Sequence, residues 1–146
     1  PAFRATQKRY EEFYAEGRGQ RKGKRASIID YLSRHGEVVD ALQMWREAAS
    51  MPRGGRIVKN VLIDMGVAVG GSLVEVFEVK TSAQRQLIYT ALGQLMIHGE
   101  SPDCRRVMLL PEKEILADDL AEALTRLGIE LMRFSLSETE ASILGD

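Results

Sequence analysis

Apolar residues along the chain repeat with two different periods. From Ala26 to about Glu47, Ile28, Ile29, Leu32, Val38, Val39, Leu42 and Trp45 recur at helical intervals, with Gly36 as an interruption. This pattern predicts one helix or two short ones. "SMPRGGR" reads as a loop from its Pro and Gly content. Two short apolar runs follow, "NVLID" at 60–64 and "SLVEVFEVK" at 72–80, separated by a turn through Gly66, Gly70 and Gly71. They predict an antiparallel hairpin. "AQRQLIYTALGQLMIHG" carries Leu87, Ile88, Ala91, Leu92, Leu95 and Met96 on one helical face and stops at Gly99. Next come a strand "RRVMLL" at 105–110, Pro111 as a breaker, a helix around Ile115 to Leu127, and a last strand "IELMRF" at 129–134. The expected fold is α/β, a mixed central sheet flanked by helices, with no internal repeat.

The first 25 residues show no sustained period. They mix Phe3, Tyr10, Phe13 and Tyr14 with a glycine-spaced basic run, and read as an arm, with room for a short helix near residues 5–15. Residues 26–146 then form the domain. A chain of 146 residues is long enough for one hydrophobic core without staples. The single cysteine, Cys104, makes no internal disulfide, and no run approaches the roughly 18 apolar residues of a membrane span. "PAFRATQKRY" has no signal-like apolar centre, so a soluble, cytoplasmic protein is expected.

Net charge is −1, but it divides unevenly. Residues 1–60 hold 13 Lys and Arg against 7 Asp and Glu, and the remainder hold 7 against 14. The bases concentrate in "GRGQRKGKR" (Arg18, Arg21, Lys22, Lys24, Arg25) and "MPRGGRIVK" (Arg53, Arg56, Lys59). Such runs suit a polyanion such as DNA, but charge alone favours the plainer reading of a solvated, mobile segment.

In an antiparallel pair, facing positions sum to a constant, and a turn centred near residue 69 makes it about 138. Asn60 then faces Glu78 and shares a sheet face with it and Lys80. Asp64 has the same parity but falls nearer the turn, roughly 13 Å along the strand. An amide oxygen, a carboxylate, the Val79 carbonyl and water would together suit a hard cation such as Mg2+. A nearby lysine could assist an attacking water and offset charge on a phosphate. Taken alone, Glu-x-Lys at a strand end is commonplace.

The ordered set resembles the PD-(D/E)xK nuclease superfamily, whose fold is called restriction-endonuclease-like. "KNVLID" stands where the family's aspartate-led strand lies, "FEVKTS" matches (D/E)xK, and "QRQLIYTALGQL" is similar to the glutamine-containing helix that follows it. The resemblance runs from about Ala26 to Phe134. Restriction-type and defence-associated bacterial members are similar at "HG-x-V-V-x-A-L" (His35, Gly36, Val38, Val39, Ala41, Leu42) and at "Y-x-A-x-G-Q-L-M-x-H-G" (Tyr89 to Gly99). It implies an endonuclease domain that hydrolyses DNA with Mg2+, or with Mn2+ in its place. It also implies a possible homodimer and a place among other domains or subunits.

On this reading Asn60, Glu78 and the Val79 carbonyl hold the metal, and Lys80 assists the water. Asn60 departs from the family's aspartate. Three accounts stand: an inactivating substitution, a pseudo-nuclease that binds without cutting, or replacement of the ligand by Asp64. The resemblance adds Glu37 as a helix acid holding a metal-bound water. Gln86 and Gln94, eight apart on one helix, are candidates to touch the site or the DNA backbone, and Gly93 between them suits close packing on the sheet. Arg21, Lys22, Lys24, Arg25, Arg53 and Arg56 are the expected DNA contacts. His35, His98 and Cys104 show no zinc spacing. The rival reading is a non-catalytic DNA-binding or assembly module. A small-molecule domain is disfavoured because no glycine-rich phosphate loop opens a helix.

Overall fold

The computed structural model describes residues 26–145, with side chains from residue 34 onward. The arm, with Arg21, Lys22, Lys24 and Arg25, lies outside the described residues. The elements in order are α1 (Ala26–Glu47), β1 (Gly55–Val58), β2 (Met65–Val69), β3 (Ser72–Val79), α2 (Arg85–His98), β4 (Arg105–Pro111), α3 (Asp118–Arg126), β5 (Ile129–Leu136) and β6 (Ala141–Leu144). The six strands form one mixed sheet in sequence order. Pairing is antiparallel for β1–β2, β2–β3 and β5–β6, and parallel for β3–β4 and β4–β5.

Each parallel step needs a crossover, and α2 and α3 supply the two. Both cover one face of the sheet, where Ile88, Ala91, Leu95, Leu120 and Leu124 pack on Val76, Met108 and Leu110. α1 covers the other, burying Val38, Val39 and Leu42 against Phe77, Val79, Leu109 and Phe134. Complete burial of those three side chains stabilises the α1 layer by about 1.5–3 kcal/mol each. α1 is one helix that runs through Gly36, with Val38, Val39 and Leu42 beyond it packed on the sheet. Trp45 packs on that cluster as expected.

Among the described side chains of α1, Arg46 is the charged one that is buried. It is 4% exposed and makes two bonds to Glu75, Nε to Oε1 at 2.8 Å and Nη2 to Oε2 at 2.7 Å. A buried ion pair needs this bidentate geometry to offset desolvation. Arg105 joins from β4, bonding Glu130 and approaching Glu75 to 3.5 Å.

The hairpin differs from expectation. Residues 60–64 form no strand, because the Asn60 side chain competes for their backbone: its Oδ1 accepts from the Leu62 and Ile63 amides at 2.8 Å each. The Asn60 amide donates to the Ile63 carbonyl, closing the loop. An Asx turn of this kind takes up donors that a ladder would need. The strand begins at Met65, and the loop segment 50–56 runs into an additional edge strand, β1. A second addition, β6, pairs with β5. Among the described residues no helix is long and apolar enough to cross a membrane.

Candidate active site

Register decides which residue meets Glu78. Val69 pairs with Ser72, so Gly70 and Gly71 form a two-residue turn, with Gly70 at φ +59°. Tight turns require that left-handed backbone, which glycine adopts without penalty. Facing positions therefore sum to 141 near the turn. A bulge between Val67 and Ala68 leaves Val74 unpaired and raises the sum to 142, as in Met65 with Phe77. One step further, Asp64 faces Glu78. The expected partner, Asn60, is displaced by four positions, and the separation of roughly 13 Å expected for Asp64 is replaced by direct contact.

That contact is tight. The Asp64 amide donates to Glu78 Oε1 at 3.3 Å, and the Val79 amide donates to Asp64 Oδ2 at 2.7 Å. His35, on α1, reaches the same carboxylate from the opposite layer. Its Nε2 lies 3.2 Å from Asp64 Oδ2 and 3.2 Å from the Val79 carbonyl. Since a carbonyl only accepts, this nitrogen carries the proton and donates to both.

The two acids are pushed apart. Glu78 is completely buried, and burial first, then the charge of Asp64, holds its carboxyl well above the usual carboxylate range. Burial also acts to raise Asp64, as its largest single influence. The hydrogen bond and charge of His35, aided by Glu78 and the Val79 amide, outweigh it and hold Asp64 below its ordinary value. Burial and the neighbouring charge thus favour the protonated form of Glu78, while His35 favours the ionised form of Asp64.

Lys80 continues the β3 ladder, its amide donating to Leu109 O at 3.0 Å. Its Nζ donates to Gln94 Oε1 at 3.0 Å, and Gln94 Nε2 reaches the Leu62 carbonyl at 3.4 Å. A chain of bonds therefore runs from the Asn60 turn through Leu62 and Gln94 to Lys80. Asn60 is 1% exposed and shapes the loop; its Nδ2 and Glu78 Oε2 are buried and find no hydrogen-bond partner among the described residues.

The other candidates do not converge. Glu37 is exposed, with Oε2 3.6 Å from Arg34 Nε. Gln86 is exposed on α2, whereas Gln94 is half-buried. Arg56 faces outward on β1 opposite Ala68, four residues and roughly 13 Å from Asp64, and Arg53 lies further toward that end. A Cβ at Gly93 would meet nothing within 4 Å, so this glycine does not serve close packing on the sheet. His35 and Asp64 gain a place at the site. The legible signal for Asp64 was the Gly70–Gly71 pair, which sets the tight turn.

Among the described residues no cluster of three or more His, Cys, Asp or Glu side chains is arranged to hold a metal ion. A divalent cation would rest on Asp64, Glu78, the Val79 carbonyl and water, the sparse oxygen ligation that Mg2+ accepts. The residues fit it in one specific respect. Glu78 Oε2 is a buried acceptor lacking a partner among the described residues, beside an acid whose charge opposes ionisation of Glu78. Comparison with protein-family models, curated proteins and solved structures gave no significant match.

Proposed function

We propose that the chain is a divalent-cation-dependent nuclease domain with a restriction-endonuclease-like core, hydrolysing phosphodiester bonds in DNA. The observation that carries this reading is Asp64 in contact with Glu78 at one strand end, with Lys80 two residues on and bonded to Gln94. This is the (D/E)xK arrangement with Asp64, rather than Asn60, as its acid. A bound Mg2+ or Mn2+ would polarise a phosphoryl oxygen and acidify a water.

The residues themselves do five things. Asp64 and Glu78 supply the carboxylates that draw the cation to the carboxyl end of β3. His35 orients Asp64 by donating to it and to the Val79 carbonyl. Lys80 offers an ammonium against the charge that builds on the phosphate during displacement. Gln94 keeps Nζ in place, and its own amide is tied back to Leu62. The basic run before residue 26 supplies phosphate contacts. A role in restriction or antiviral defence rests on the resemblance at "FEVKT" and "YTALGQLMIHG".

The test is plasmid cleavage with Mg2+ or Mn2+ by the chain and by Asp64→Asn, Lys80→Ala and Asn60→Asp. The chain is expected to cut, and loss of at least 100-fold is expected for the first two variants. Asn60→Asp is expected to bring no gain. If none of the four cuts while all bind DNA, the fold serves binding alone.

A further inference from the structure

The outward face of α2 is apolar where a solvated helix would be polar. Its core side is Ile88, Ala91 and Leu95. Away from that core, Tyr89, Gly93 and Ile97 follow one another at four-residue steps, with Met96 beside them. Tyr89 is 46% exposed, Met96 38% and Ile97 68%. An added Cβ at Gly93 would meet nothing within 4 Å, so the stripe has an open hollow at its middle. Arg85 lies over the Tyr89 ring and is held by Asp119, so the charge at this end of the face is already matched. At the other end Glu100 and Asp103 are exposed and form no ion pair among the described residues.

We propose that this face is the docking site of the chain's own N-terminal segment, residues 3–14, lying antiparallel along α2. The segment lies outside the described residues, and its sequence matches the face. Phe13 and Tyr14 stand three and four residues after Tyr10, and Phe3 two helical turns before it. Such a segment sets one aromatic ring over the Gly93 hollow and others against Tyr89 and Ile97. Phe3 to Tyr14 spans about 17 Å as a helix, against about 14 Å from Tyr89 to His98. The antiparallel direction brings Arg4, Lys8 and Arg9 to the Glu100 and Asp103 end. A second copy would offer this face the same acids, and a nucleic acid is repelled by them.

The connection to the domain favours that direction. α1 runs opposite to β3, since His35 meets the Val79 carbonyl and Arg46 bonds Glu75. α2, which follows β3, starts from the same end. The beginnings of both helices therefore lie at the carboxyl end of β3, on opposite faces of the sheet. Packed layers are spaced about 10 Å, so a chain from α1 to the outer side of α2 crosses about 30 Å. Residues 15–25 extend to about 36–40 Å, which suffices. Docking of residues 3–14 thus draws Arg18, Arg21, Lys22, Lys24 and Arg25 across the end of β3 that carries Asp64, Glu78 and Lys80. The docking does not depend on the nuclease reading; the use of those bases on phosphate rests on it.

The experiment is disulfide trapping in the whole chain, with Tyr10→Cys paired with Ile97→Cys or, as control, with Met44→Cys. Met44 is exposed on α1, on the other side of the sheet, and within the extended reach of residue 10. Cys104 is buried and stays out of the exchange. Under a mild oxidant at low protein concentration, the Ile97→Cys pair should close an intrachain disulfide about tenfold faster than the control, or more. Gly93→Leu added to that pair should remove most of the advantage, because leucine fills the hollow. The same variant should melt at an equal or higher temperature, because leucine favours the helix. Equal rates for the two pairs overturn the proposal. So does a disulfide between two chains at position 97, which names a second copy as the occupant, or an advantage that Gly93→Leu leaves intact. No DNA or cation enters the assay, so a chain that cleaves DNA without this trapping overturns the docking alone.

Discussion

Glu78→Gln should stabilise the cation-free protein at neutral and alkaline pH, although it removes a residue placed at the centre of the site. Glu78 is fully buried, and among the described residues Oε1 accepts only the long Asp64 amide bond and Oε2 has no partner. Its carboxyl is held well above the usual range, first by burial and then by Asp64. A group whose folded pKa is raised contributes stability that is fully present below its unfolded pKa and lost as pH rises through the folded one. Ionising Glu78 therefore weakens the fold. An unpartnered buried polar group costs about 1–3 kcal/mol, and more when charged. Glutamine reproduces the protonated acid, accepting through Oε1 and donating toward Asp64, and cannot ionise. Urea melts with a chelator should show Glu78→Gln close to the parent at about pH 5 and about 2 kcal/mol more stable at about pH 8–9. With Mn2+ at 100 times its Kd the parent should recover about 2.7 kcal/mol, and the variant much less. If parent stability does not fall relative to the variant between those pH values, burial and Asp64 do not favour the protonated form of Glu78 and the reading of the site fails.

Three further perturbations probe the supports of that site. His35→Ala should raise the Asp64 pKa, read by carboxyl NMR. Because that pKa is depressed, the stability it contributes is present above the unfolded value and lost as pH falls through the folded one. The variant should therefore lose about 1–2 kcal/mol near neutrality and little in acid. Asn60→Ala should cost about 1–2 kcal/mol by denaturant melts, since the Leu62 and Ile63 amides lose their acceptor, and unchanged stability would refute the turn's role. Arg46→Ala should cost about 3–5 kcal/mol in the same assay, because Glu75 would be left charged and buried with Arg105 as its remaining close cation.

Element type was legible where periodicity was sustained. The stripe from Val38 to Trp45, the face Ile88–Ala91–Leu95 and the runs at 105–110 and 129–134 each became the expected element, within two or three residues at the ends. Short segments without a period were not legible. β1 hides in a glycine-rich stretch, and β6 in a polar C-terminal tail that gains apolar contact only when Ala141 and Ile143 meet the α1 layer. "NVLID" has the composition of a strand, yet one amide side chain turns it into a loop.

The sequence by itself determined that a carboxylate and a lysine close an apolar strand, that a glutamine-bearing helix follows, and that the fold is α/β. Those features depend on neighbours along the chain. Tertiary structure decided the partner of Glu78. A change of four residues in the pairing sum, made by the Gly70–Gly71 turn and one bulge, replaces Asn60 with Asp64. His35 lies 29 residues from Asp64, and no local pattern relates a helix histidine to a strand-end acid. Their meeting depends on how α1 packs across the sheet. The same burial that brings them together raises the Glu78 carboxyl, an effect of excluded water that no reading of residue order contains.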